Sequence, residues 1–121
     1  MKFSWKSRAK SFSYAFNGLK ILILYEHNAR IHAFMATLAI IFGIMLDIEK
    51  NEWLAIIIVV GMVFCAELLN TALERLCDKL SKEPDEKIKA IKDLGAAAVL
   101  TCSLAALLVG IVVFLPKILV F

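Results

Sequence analysis

The stretch Leu94–Pro116 carries no charged side chain over about 23 residues, more than the roughly 20 that a helix needs to cross a bilayer core. Two further apolar stretches precede it, Ile31–Leu46 and Trp53 to about Leu73. The second is interrupted only by Glu67 and Asn70. The first is short enough for a buried helix of a soluble protein. It reads as a span because polar flanks can snorkel and an adjacent helix can extend it. With 61% apolar residues, against about 45–50% in soluble domains, the chain has the composition of a membrane protein. The expectation is one all-α domain over 1–121, with spans at about 30–47, 53–76 and 93–116.

Charge placement orients those spans. Lys2, Lys6, Arg8, Lys10, Lys20 and Arg30 precede the first, and the loop Asp47–Glu52 is net negative. Arg75, Lys79, Lys82, Lys87, Lys89 and Lys92 cluster around the second loop. The positive-inside rule puts the N-terminus and second loop in the cytoplasm, with the first loop and C-terminus outside. Three spans place the termini on opposite sides, so count and charge agree. Each basic group adjoins a span, which argues against nucleic acid as a partner. No apolar core with a small-residue cleavage site follows the basic N-terminus promptly, so no cleaved leader is expected. Cys65, Cys77 and Cys102 lack metal-site spacing and read as small apolar residues.

Residues from about 5 to 25 have the pattern of an amphipathic surface helix. Lys6, Lys10, Ser13, Asn17 and Lys20 share one face, while Phe12, Phe16, Leu19 and Ile23 share another. A soluble helix packed on its neighbours is the alternative. Gly18 marks a bend or a close contact. Pro84 is the expected start of the last helix, which runs to Leu115. Small residues four apart, Ala98/Cys102 and Ala106/Gly110, suit close helix packing in lipid and a compact, oligomeric bundle.

The chemistry concentrates in Glu67–Asp78. At 100° per residue Glu67, Asn70, Glu74 and Asp78 fall within a sector of about 80°. Glu67 lies roughly 21 Å into its span, where a carboxyl costs a few kcal/mol and is by default a functional candidate, here a general base. Glu74 and Asp78 lie nearer the cytoplasm, within reach of a hard cation such as Mg2+, which takes one or two carboxylates plus phosphate oxygens. Glu26 and Arg30 stand one turn apart, as an ion pair would, and Lys92-Asp93 borders the third span. His27 and His32, five apart, do not suit a shared metal on one face. No P-loop or protein-kinase signature occurs. From spacing alone a proton pathway or a non-enzymatic membrane assembly remains an alternative.

Glu67-x-x-Asn-Thr-Ala-x-Glu-x-x-x-Asp78 closely resembles the signature of the prokaryotic diacylglycerol kinase family, which includes the undecaprenol kinases. Tyr14-x-x-x-Gly-Leu19, Glu26-x-x-x-Arg30 and Lys92-Asp-x-Gly-Ala-Ala-Ala-Val99 extend the resemblance along nearly the whole chain. It implies a homotrimeric inner-membrane enzyme that phosphorylates a lipid alcohol with Mg-ATP. A surface helix and three membrane helices per chain build composite sites between subunits. By the same resemblance Glu67 is the general base, and Glu26 and Glu74 hold the metal and the nucleotide phosphates. Tyr14, Asn70, Glu83, Asp85, Lys92 and Asp93 contact the nucleotide, and Arg8 and Ala96, with Glu67, lie at the lipid. Glu26-His-Asn-Ala-Arg-Ile-His32 looks more like the undecaprenol kinase branch, because the diacylglycerol branch carries an acid where His32 stands. Undecaprenol is therefore the first expected substrate and diacylglycerol the second.

Overall fold

The computed structural model describes residues 2–119 and is helical almost throughout. Helix α1 spans Trp5–Tyr25, α2 His27–Met45, α3 Lys50–Leu80 and α4 Glu86–Leu119. The last three are long and apolar enough to cross a membrane. At 1.5 Å per residue α3 is about 47 Å long and α4 about 51 Å, so both extend beyond a hydrocarbon core of about 30 Å. The first helix covers the stretch about 5–25 read from the sequence pattern. Elsewhere the ends differ for identifiable reasons.

α2 stops at Met45, two residues before the expected limit. Its end closes as a Schellman motif: Ile48 N donates to Gly43 O at 3.1 Å and Asp47 N to Ile44 O at 3.3 Å. Asp47 occupies the left-handed position with φ of 50°. Ile48 then packs into the far-end core with Ile56 and Val113. Gly43 is required here, because a Cβ would meet the Trp53 ring at 2.7 Å.

α4 begins at Glu86 rather than Pro84. Asp85 is its N-cap, its Oδ1 accepting from Lys87 N at 2.8 Å and Ile88 N at 3.4 Å, which satisfies two amides that lack helical partners. The helix also continues through Pro116 to Leu119 instead of ending at Leu115. Proline's fixed φ is compatible with a helix, so the cost is a lost hydrogen bond near the end. Lys117 in that last turn meets Glu52 at 3.4 Å, tying the end of α4 to the start of α3.

α3 and α4 form the dominant pairing, and α2 leans on both. α1 is anchored only near its C-terminus, where Leu22 is 1% exposed. Arg30 secures the joint by donating to the terminal carbonyls of α1, from Nε to Ile23 O at 2.7 Å and from Nη2 to Leu24 O. The Arg75 guanidinium also lies 5.5 Å over the Tyr25 ring. Gly18 lies within the continuous helix α1, and neither Gly18 nor Gly110 approaches another part of the same chain among the described residues. Large apolar side chains such as Phe34, Ile57 and Leu108 are exposed on all three spans.

Candidate active site

Glu67 stands on the inward face of α3 and is 2% exposed. Asn70 and Glu74 follow on the same stripe, both half-buried, and Asp78 ends it in the open. Asn70 Nδ2 donates to Glu74 Oε1 at 3.2 Å, so the amide holds the carboxylate in place. Asn70 Oδ1 is buried without a partner. Opposite it α4 contributes Gly95, whose missing Cβ leaves room for that oxygen. A side chain at 95 would strike it, which makes this glycine part of the site's shape.

Glu26 comes from a different element. It is the single extended residue between α1 and α2, with φ of −113° and ψ of 114°. The break places its half-buried carboxylate within electrostatic reach of Glu67, as is that of Glu74. The Glu26–Arg30 ion pair that their spacing allows does not form, because Arg30 is engaged with the carbonyls of α1. Glu26 thus makes no ion pair among the described residues. Carboxylates from two regions of the chain thus lie within electrostatic reach of the buried Glu67. Among the described residues no group of three or more His, Cys, Asp or Glu side chains is placed to hold a metal ion. An ion held by Glu26 and Glu74 would complete its shell with phosphate and water oxygens, as Mg2+ does.

At the turn between α3 and α4 a polar cleft of about 970 Å³ is lined by Asp78, Glu83, Asp85, Lys89 and Lys92, among others. Lys92 Nζ donates to Asp78 Oδ1, and this hydrogen bond holds the ammonium above the usual lysine range. Asp78, at the exposed end of the stripe, thus has a partner. Asp85 lines the cleft but spends one carboxylate oxygen on the cap of α4. Asp93 pairs with Lys89 at 2.7 Å on the surface, outside the residues that line the cleft.

Not every residue expected at the site is drawn to it. Arg8 and Tyr14 stand on the exposed stretch of α1, and Ala96 on an exposed face of α4. The Arg8 and Tyr14 side chains make no hydrogen bond or ion pair among the described residues. Conversely, His32 and Ser103 were not expected there. His32 Nε2 lies 3.3 Å from Glu67 Oε1 and 3.4 Å from Ser103 Oγ. His32 stood out in the sequence only through its place in the Glu26–His32 segment, and Ser103 only as a hydroxyl in an apolar stretch.

Below these two, an apolar groove of about 580 Å³ runs between α2, α3 and α4, walled by Met35, Phe42, Phe64 and Phe114 among others. The architecture thus joins three environments: a polar cleft, a buried carboxylate with two neighbouring acids, and an apolar groove.

The chain is similar to known proteins along most of its length. Residues 13–114 match the family described as prokaryotic diacylglycerol kinase. An undecaprenol kinase of Bacillus subtilis is 34% identical over 108 residues, covering 89% of this chain and 88% of the relative. A diacylglycerol kinase of Haemophilus influenzae is 34% identical over 102 residues, covering 84% of each. A diacylglycerol kinase of Escherichia coli is 29% identical over 99 residues, covering 82% and 81%.

Proposed function

This chain belongs to the prokaryotic diacylglycerol kinase family, and on that premise we propose that it transfers the γ-phosphate of ATP to undecaprenol, giving undecaprenyl phosphate. The observation that carries the reading is the convergence on Glu67: a 2%-exposed carboxyl within a span, with Glu26 and Glu74 in electrostatic reach. A proton pathway needs a buried acid but not two further carboxylates and a lysine-lined polar cleft beside it. Diacylglycerol is the second substrate reading, favoured by the relatives that carry that name.

The lipid hydroxyl lies at Glu67, which accepts its proton as the oxygen attacks the γ-phosphorus and the bond to ADP breaks. Glu26 and Glu74 would hold Mg2+, with Asn70 fixing the Glu74 carboxylate. The chemistry supplied by such an ion would be neutralisation of charge on the phosphates. Lys92 adds positive charge from the cleft, and Tyr14, Asn70, Glu83, Asp85 and Asp93 complete the nucleotide contacts. Arg8 and Ala96 border the lipid. No covalent intermediate is needed, because positioning and electrostatics suffice for phosphoryl transfer.

The amphipathic α1 lies on the cytoplasmic face of the inner membrane, with the α3–α4 turn on the same side and the α2–α3 turn outside. The basic residues in and around α1 and that turn support this orientation. The working unit is a homotrimer. Exposed apolar side chains on every span leave room for neighbouring copies, and Arg8 and Tyr14 stand exposed on α1, open to such a neighbour.

Labelled ATP presented with undecaprenol or diacylglycerol in mixed micelles tests the proposal. Mg2+-dependent label should enter undecaprenol more efficiently. Preference for diacylglycerol would reverse the substrate order, and transfer to neither would refute the kinase reading.

A further inference from the structure

The reaction derived above leaves His32 without a part, although its Nε2 faces two oxygens from two other helices. One is Oε1 of Glu67 on α3, at 3.3 Å, and the other is Oγ of Ser103 on α4, at 3.4 Å. The Glu67 side chain is 3% exposed and the His32 side chain 23%. Oε1 is fully buried and no polar group forms a well-aligned hydrogen bond with it, so the imidazole is the partner within reach. Neither Glu26 nor Glu74 can serve that oxygen, since carboxylates only accept when ionised.

A carboxylate that acts as a base needs one oxygen free for the incoming proton and the other held, so that the group cannot turn away. Three-residue catalytic arrangements follow the same logic, with a third group orienting the base. With its proton on Nε2 the imidazole donates toward Oε1 and Ser103 Oγ together, and each acceptor limits the ring's rotation about the other. The 3.3 Å contact is a close approach that is not aligned as a hydrogen bond, and catalytic contacts of this kind tighten when a site is filled.

His32 and Ser103 are also the polar residues in the lining of the apolar groove, which otherwise presents only aliphatic and aromatic side chains. The grip on Glu67 therefore borders the groove and lies apart from the polar cleft, whose lining includes Asp78 and Lys92.

We infer that His32, braced by Ser103, is the positioning residue for Glu67, holding Oε1 so that the other oxygen meets the lipid hydroxyl. The inference rests on the lipid-kinase reading and predicts a separation of kinetic constants. His32→Leu should lower kcat by about ten- to a hundredfold, the usual effect of losing a hydrogen bond to a charged group, with KM for ATP unchanged. His32→Gln, which keeps a donor at similar reach, should recover most of the loss. Ser103→Ala should cost about two- to tenfold.

A second readout is independent of turnover. The chain has two histidines, so a 15N-imidazole spectrum of the whole protein in micelles is assigned by comparison with His27→Gln. The Nε2 signal of His32 should move in both Glu67→Gln and Ser103→Ala. If His32→Leu keeps the parent kcat, or if the Nε2 signal ignores Glu67→Gln, the inference is overturned. Should His32→Leu fail to fold, His32→Gln and the spectrum still decide. Absence of transfer by the parent protein to any lipid alcohol would refute the kinase reading itself. An active parent with an indifferent His32 would overturn the positioning role alone.

Discussion

Replacing Gly95 by alanine adds one carbon at the closest approach between α3 and α4 in the site. The new Cβ would fall well inside contact distance of Asn70 Oδ1 and 3.4 Å from both Asn70 Cγ and Leu73 Cδ1. The colliding atom ends a short side chain, so the relief available is rotation of the Asn70 amide. That rotation breaks the 3.2 Å hydrogen bond from Nδ2 to Glu74. Overpacking of this kind costs about 1–3 kcal/mol, and a bond to a charged acceptor contributes about 1.5–3 kcal/mol locally. Gly95→Ala should therefore lose about 1–3 kcal/mol in reversible denaturation in micelles and weaken Mg-ATP binding about tenfold through a loosened Glu74. The decisive assay is a double-mutant cycle. In an Asn70→Ala background the colliding atoms are gone, so Gly95→Ala should cost almost nothing further, a coupling of about 1–2 kcal/mol. If Gly95→Ala costs as much without Asn70 as with it, the close approach is not between these two residues and the reasoning fails.

Glu67→Gln keeps the shape of the side chain but removes the base, so turnover should fall by about a hundredfold or more while ATP still binds; retained turnover would remove Glu67 from the role. Glu74→Gln should raise the Mg2+ concentration needed for half-maximal ATP binding, read by titration at fixed nucleotide. Asp85→Ala removes the cap of α4 and should cost about 0.5–2 kcal/mol in stability. A loss of ATP affinity beyond the loss of fold would show that its carboxylate also touches the nucleotide. Asp78→Asn should bring the Lys92 titration, followed by NMR of its ε-methylene, down toward the ordinary lysine value. The Asp78 contact raises the Lys92 pKa, so its contribution is complete below the unfolded value of about 10.4 and disappears as pH rises through the folded one. An unchanged titration would rule out the pairing.

The helices were legible because lipid imposes length and apolarity on any span, and both are local properties of sequence. The uncharged run Leu94–Pro116 and the basic flanks needed no tertiary information. The ends were less legible. Pro84 carries a generic start signal, yet the side chain that accepts the free amides is Asp85, one residue later. Pro116 carries a generic stop signal, but Lys117 is held by Glu52 from the far end of another helix.

The same division runs through the site. Helical periodicity alone placed Glu67, Asn70, Glu74 and Asp78 on one stripe, because 100° per residue is a property of the backbone. Which groups face that stripe depends on how three other segments pack against it, and no periodicity in α3 encodes that. The extended backbone at Glu26 brings a third carboxylate near, Gly95 lets α4 close on Asn70, and Lys92 reaches back to Asp78. His32 and Ser103 lie 71 residues apart and meet only across the helix interface. The sequence by itself therefore determined a multi-pass helical chain with one acidic face. The tertiary structure decided what that face meets, because contacts between helices depend on the packing of all of them together.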